Sequence, residues 1–79
     1  MSGTVYPVPA RDMILVETQQ DLSGATFSAV NVLGQELLLS AYVSETNAQL
    51  DVSGLSEGTY VLIVRQNSNT LTKRIVVIK

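Results

Sequence analysis

The chain lacks cysteine, histidine and tryptophan altogether. Thiol nucleophiles, serine–histidine–aspartate triads, disulfides and zinc sites with thiolate or imidazole ligands are therefore excluded. No apolar run approaches the ~20 residues of a membrane-spanning helix, and no signal-peptide pattern is present. Positive charge is also scarce, with five Lys and Arg against seven Asp and Glu. Since nucleic-acid binders normally carry a basic patch or stripe, no nucleic-acid partner is expected.

Nothing in the remaining polar residues indicates catalysis. The acidic residues form no Asp-x-Asp ladder and no calcium loop, and Gly34, Gly54 and Gly58 lack the spacing of a phosphate-binding loop. Two carboxyl groups could still meet in space as an acid–base pair, but solvated or turn positions are favoured. Asp12 and Asp51 lie beside turns, where a carboxylate can accept backbone N–H groups. We therefore expect no enzyme activity, no cofactor and no metal.

Apolar residues make up 46% of the 79 residues, which is too many for a disordered tail. Short runs rich in Val, Ile, Leu, Thr and Tyr alternate with turn residues every ~8–12 positions, which is typical of an all-β domain. We predict an Ig-like antiparallel β-sandwich of about seven short strands. Residues 4–79 form this single domain, and Met1–Gly3 is expected to be an added start. The predicted strands are Thr4–Tyr6, Met13–Glu17, Ala25–Val32, Glu36–Val43, Ala48–Val52, Thr59–Gln66 and Leu71–Ile78.

The last two predicted strands are apolar on both faces. Tyr60, Leu62 and Val64 share one face of the sixth strand, while Val61 and Ile63 lie on the other. A sheet with one solvated face should be polar on that face. Scattered surface apolar residues are one explanation. The other is that a partner, such as a second copy in a homodimer, covers this outer face.

Tyrosines and basic residues each allow two interpretations. Tyr6, Tyr42 and Tyr60 could stack on sugars, but packing in the core or between strands is favoured. Basic residues near the end of the chain could bind an anion or an acidic receptor, or could protect an edge strand from aggregation. These basic residues are Lys73, Arg74 and Lys79.

Five segments, in this order, carry a family resemblance. They are Val5-Tyr6-Pro7-Val8-Pro9-Ala10, Met13-Ile14-Leu15-Val16, Asn31-Val32-Leu33-Gly34-Gln35-Glu36-Leu37, Leu50 through Leu62, and Lys73-Arg74-Ile75-Val76-Val77-Ile78-Lys79. Together they resemble the type A C-terminal sorting domain of cargo proteins of the type IX, or Por, secretion system of Bacteroidetes. The family usually has Asn between the two prolines, where this chain has Val8. A Val side chain cannot cap a turn by hydrogen bonding as Asn can.

The resemblance implies a non-catalytic secretion signal at the end of a larger exported protein. The cargo domain would precede it, enter the periplasm and reach the cell surface or the medium. The implied partners are the outer-membrane translocon with its shuttle and a sortase-like protease, which removes the domain in many members, while some members keep it. Family-motif matches suggest the following recognition residues: Tyr6, Pro7, Pro9, Ala10, Gly34, Leu55, Gly58, Tyr60, Lys73 and Lys79.

One further expectation concerns the surface that a receptor recognises, and two alternatives concern the function. An apolar strand at the end of the chain can offer backbone groups to a receptor, so we expect Leu71–Lys79 to be part of the recognised surface. The main alternative function is a carbohydrate- or protein-binding accessory module, for which an exposed aromatic platform would be the sign. A purely structural spacer is a second alternative.

Overall fold

A computed structural model describes residues 3–79. The eight strands are β1 (Gly3–Tyr6), β2 (Met13–Thr18), β3 (Thr26–Val30), β4 (Glu36–Leu38), β5 (Ala41–Ser44), β6 (Asn47–Asp51), β7 (Gly58–Gln66) and β8 (Asn69–Val77). They form two antiparallel four-stranded sheets, sheet A in the order β1-β2-β6-β5 and sheet B in the order β4-β3-β7-β8. Within residues 3–79 there is no helix, and so none that could cross a membrane. The all-β sandwich prediction is confirmed. Met1 and Ser2 lie outside the described residues.

The core lies between the two sheets and follows the alternation of each strand. Tyr60, Leu62 and Val64 point inward from β7, as the sequence pattern predicts. Ile14 and Val16 do the same from β2, and both are fully buried. Because successive side chains of a strand point to opposite faces, every second residue of the long strands lies in the core.

One predicted strand is divided between the sheets, which raises the count from seven to eight. The sequence predicts one continuous strand over Glu36–Val43. In the structure this segment forms two strands, because β4 pairs with β3 of sheet B and β5 pairs with β6 of sheet A. The change of sheet occurs at Leu39, whose N–H donates to Phe27 O, and Ser40, whose carbonyl accepts the N–H of Asp51. Strands that pass between sheets close the corner of a sandwich in this way.

The predicted turns are present, with shifted boundaries. Gly34 has φ of 84°, the left-handed conformation that a tight turn between β3 and β4 requires. The Oδ1 atom of Asn31 accepts the N–H groups of Leu33 and Gln35 in that turn. β3 ends at Val30 rather than at residue 32, because the chain already turns there. The β7–β8 hairpin turn comprises residues 67 and 68 alone, whereas the predicted strand bounds leave residues 67–70 between the two strands.

Candidate recognition site

One end of the sandwich, which we call the motif end, collects most of the predicted recognition residues. It consists of loops 7–12, 31–35 and 52–57 together with residues 78–79, and the strand registers place these segments at the same end. The opposite, far end consists of loops 19–25, 45–46 and 67–68. The predicted residues that lie at or beside the motif end are Tyr6, Pro7, Pro9, Ala10, Gly34, Leu55, Gly58, Tyr60 and Lys79. Lys73 lies apart from them, in the middle of β8.

Ala10 joins the first and last motifs of the chain. Its N–H donates to the carbonyl of Val76 at 2.7 Å, and its carbonyl accepts the N–H of Ile78 at 2.8 Å. This short parallel bridge to β8 leaves Ala10 fully buried, while Pro7 and Pro9 before it stay exposed. Both prolines follow cis peptide bonds. Loop 7–12 therefore crosses from sheet A and covers the edge of the last residues of β8.

Loop 52–57 is fixed at the motif end by a backbone hydrogen bond and by two buried side chains. The N–H of Val52 donates to the carbonyl of Asp12 at 2.9 Å, which ties this loop to loop 7–12. Leu55 is buried, and the hydroxyl of Tyr60 donates to the carbonyl of Ser56 at 2.6 Å. Leu55 and Tyr60 thus act inside the domain, where they shape the loop and offer little surface to a partner.

Lys79 is fixed by two contacts to that loop. Its N–H donates to Oε1 of Glu57 at 3.1 Å, and its Nζ donates to the carbonyl of Ser53 at 2.9 Å. The carboxylate of Asp51 accepts the hydroxyl and the N–H of Ser53 at 2.6 and 2.9 Å, and these bonds lower its pKa. The nearby charge of Lys79 lowers the pKa of Asp51 further. Lys79 thus closes the motif end through its backbone N–H and its Nζ.

Only part of the outer edge of β8 is available for pairing with another strand. The surface expected at Leu71–Lys79 therefore includes fewer residues than that whole segment. Because Val76 and Ile78 direct backbone groups toward Ala10, alternation along the strand directs those of Thr70, Thr72 and Arg74 away from β7 as well. These three residues form the free edge of β8, while Ala10 covers the carbonyl of Val76 and the N–H of Ile78.

Lys73 lies between Thr72 and Arg74, and its side chain is on the opposite face of β8 from theirs. It pairs with Leu62, whose side chain is fully buried, and yet it is itself exposed at the margin of the sandwich. A lysine on the inner side of an edge strand opposes pairing between like edges, since two such edges would bring positive charges together. The protective interpretation of this residue is consistent with its position.

The tyrosines divide between core and surface. Tyr60 packs in the core as predicted, whereas Tyr42 is 77% exposed, so only the second of the two favoured roles, packing between strands, stays open for it. Tyr42 lies on edge strand β5, in one cross-strand row with Gln49, Leu15 and Tyr6. Tyr6 is partly exposed, and its hydroxyl donates to Glu17. Because Leu15 and Gln49 separate the two rings, this face carries no continuous aromatic platform.

Sequence reasoning missed the contacts of Asp12, Ser53, Ser56 and Glu57. Three of the four act through backbone carbonyls, and Glu57 accepts a backbone N–H, so side-chain type gave little signal for them. The one available signal was the Asp-x-Ser spacing at residues 51–53, which is typical of a side chain that closes its own turn. That spacing recurs at residues 21–23 at the far end, so it marks turns and does not by itself mark the site.

A comparison with known families matches almost the whole chain. The family described as secretion system C-terminal sorting domain matches residues 4–79. No curated protein matches the chain. The matched region includes both partners of the Ala10 bridge and every loop of the motif end.

Proposed function

Since the chain belongs to the family of type IX secretion system C-terminal sorting domains, we propose that its motif end and the free edge of β8 form the surface that the translocon reads. The family consists of non-catalytic domains that act as secretion signals of cargo proteins. The cargo is accordingly secreted across the outer membrane. The observation that carries the proposal is the pair of hydrogen bonds in which Ala10 donates its N–H to Val76 and accepts the N–H of Ile78.

A surface made by both ends of the chain reports that the domain is folded. Ala10 reaches β8 only when sheet A and sheet B are packed, so an unfolded cargo tail would present neither the loop nor the covered strand. A receptor for many unrelated cargo proteins needs a shared folded feature of this kind. The exposed prolines beside Ala10 supply a rigid outer contour for it, because proline has a fixed φ.

The direction of β1 leaves the motif end clear of the cargo. β1 begins at Gly3, which pairs with Thr18 at the far end, and it runs toward the motif end. The long axis of the domain measures 30 Å. We propose that the cargo precedes residue 4 and enters from the far end, and that a sortase-like protease cuts there in the periplasm or at the cell surface.

The free edge of β8 suits recognition by an added strand. Thr70, Thr72 and Arg74 direct backbone groups outward, and main-chain hydrogen bonds to such an edge can supply affinity without demanding one cargo sequence. Lys73 and Arg74 are exposed beside these groups. We propose that the outer-membrane shuttle or translocon component offers an extended segment carrying acidic side chains.

Val8 does not prevent this arrangement. It is 48% exposed, and the Ala10 bridge forms with Val in place of the amide that the family usually has. We therefore propose that the domain folds and is exported with Val8, and that an Asn side chain at this position is not required for the bridge.

An export assay on the full-length cargo tests the free edge. Thr72→Pro removes an outward N–H without touching the β7 ladder, and proline is tolerated on edge strands in that orientation. Thr72→Ala is the matched control, because it keeps the N–H. We expect Thr72→Pro to lower export while the domain stays folded by circular dichroism, and Thr72→Ala to export normally. Normal export of a folded Thr72→Pro cargo would refute reading by strand addition.

A further inference from the structure

The outer face of sheet B carries an apolar stripe that the recognition surface does not use. Val30, Val61, Ile63 and Val76 are half-buried or exposed on this face, and Leu38 beside them is 81% exposed. None of the ten predicted recognition residues carries a side chain there. The stripe is the two-sided apolar pattern that the sequence shows in the last two strands.

Charged groups of opposite sign lie at the two edges of this face. The strand register places Glu36, Val30, Val61 and Arg74 in one cross-strand row, with the acid on β4 and the base on β8. Three strand spacings separate the two edges by about 14 Å.

Both edge groups have bonding capacity left. Oε2 of Glu36 accepts Ser28 Oγ and Arg65 Nη1, each at 2.8 Å, and Arg65 and Ser28 together lower the pKa of Glu36. Within residues 3–79, Oε1 of Glu36 accepts no hydrogen bond, and the guanidinium of Arg74 makes none. A carboxylate and a guanidinium thus lie at opposite ends of an apolar row.

We propose that this face packs against the same face of a second copy about a two-fold axis parallel to the strands. That rotation exchanges the two edges, so Arg74 of each copy lies over Glu36 of the other, and Val61 of each lies over Val30 of the other. A two-fold interface is self-complementary in this sense. Two sheets in aligned packing lie about 10 Å apart, and their strands cross at about 30°. The axis is therefore parallel to the mean strand direction of the two copies, and the strands of each copy are slightly inclined to it.

The contact is reversible and leaves most of the proposed recognition surface uncovered. Four short strands on one side of an 8.5 kDa domain supply less area than the roughly 800 Å² per partner of a standard stable interface. The dimer therefore forms at high local concentration. The motif end lies outside this face, and the outward backbone groups of Thr70, Thr72 and Arg74 point away from β7 along the sheet, so a dimer leaves both uncovered, while the side chain of Arg74 is shared by the two surfaces.

Paired charge reversals test the geometry by sedimentation velocity across a concentration series. In Arg74→Glu alone, the introduced carboxylate of each copy faces the carboxylate of Glu36 in the other. In Glu36→Lys alone, the introduced ammonium group of each copy faces the guanidinium of Arg74 in the other. We expect each variant by itself to dimerise at least about tenfold more weakly than the native domain. An equimolar mixture contains heterodimers in which one contact joins the two introduced charges, which are opposite in sign, and the other joins the native pair. We therefore expect a heterodimer to form in the mixture.

Two controls separate this result from a loss of folding or a general charge effect. Circular dichroism of each variant checks the fold, since Glu36→Lys also removes the pair with Arg65. Lys73→Glu changes the neighbouring charge but lies off the face, so its dimerisation should match the native domain. A native domain that stays monomeric at its highest soluble concentration would overturn the proposal. So would a mixture without heterodimer, or a Lys73→Glu effect as large as that of Arg74→Glu.

Discussion

The two ends of the sandwich use the same local turn but join different parts of the chain. At the motif end Asp51 accepts Ser53, and at the far end Asp21 accepts the N–H and hydroxyl of Ser23 at 2.8 and 2.6 Å. The far end then ties loops of the middle of the chain, with the N–H of Leu22 donating to Glu45 O at 2.8 Å. The motif end ties the first loop to the last strand.

Under the proposed function, this difference separates stability from recognition. Both ends bury side chains and so support the fold, but only the motif end joins the first loop to the last strand through the hydrogen bonds of Ala10. Changes at the far end should therefore act on export through folding alone, whereas changes at the motif end should act on export directly as well.

The largest expected effect is at the far end. Leu22 is fully buried, and Leu22→Ala leaves a cavity that should lower the free energy of unfolding by about 2–5 kcal/mol, measured by urea denaturation. Export of the molecules that still fold should be unchanged. A loss of export beyond the loss of folded protein would break the distinction between the ends.

Ala10→Pro is expected to be less destabilising but more harmful to export. The substitution removes the N–H that donates to Val76 O, at a cost of about 1–3 kcal/mol. Leu22→Val is the matched control, because it is a milder destabilisation at the far end. We expect Ala10→Pro to export less than this control when both are compared at equal folded fraction, and equal export would contradict the role of the bridge.

Two glycines at the motif end sharpen the comparison within that end. Gly34 has φ of 84°, so Gly34→Ala forces a left-handed conformation and should cost about 1 kcal/mol. Gly58 has φ of 158°, a conformation that L side chains rarely adopt even though an added Cβ would lie in ordinary contact, 4.0 Å from Tyr60, so Gly58→Ala should also cost about 1 kcal/mol or more. Urea denaturation of the two variants checks both costs, and native-like stability of either variant would show that backbone conformation does not constrain that position.

The smallest effect is the pH dependence of the two Asp-x-Ser turns. Hydrogen bonds from Ser23 and Ser53 lower the pKa values of Asp21 and Asp51. Because each folded-state pKa lies below the unfolded one, the turns stabilise the domain above about pH 4 and lose this contribution as the pH falls through the folded value. Thermal unfolding should show a weaker acid loss in Asp21→Asn and in Asp51→Asn than in the native domain. If the loss of thermal stability at low pH were unchanged in both variants, the two turns would not be its cause.

The residue pattern predicted the strands better than their partners. Alternation identified the inward residues of β7, because a buried face must be apolar at every second position. It could not divide the segment that begins at Glu36, since Leu37 and Leu38 are apolar on both sides and either sheet would accept them. Exposure of Tyr42 was equally hidden, because it depends on β5 being an edge strand.

The recognition residues were named from motifs, and their arrangement was not. The resemblance implies the same role for Ala10, Lys73 and Lys79, yet Ala10 and Lys79 close the motif end while Lys73 lies apart in β8. Ala10 is a small apolar residue whose role rests on its backbone, and a backbone contact leaves no trace in side-chain type.

The sequence by itself determined that this chain is an all-β domain without the side chains of thiol or imidazole chemistry, since composition and strand period are local properties. It also determined the family, because the ordered motifs are read along the chain. Only the tertiary structure decided that loop 7–12 covers part of β8 and leaves Thr70, Thr72 and Arg74 free. Pairing between distant backbone segments depends on how two sheets pack, and no local pattern encodes that distance.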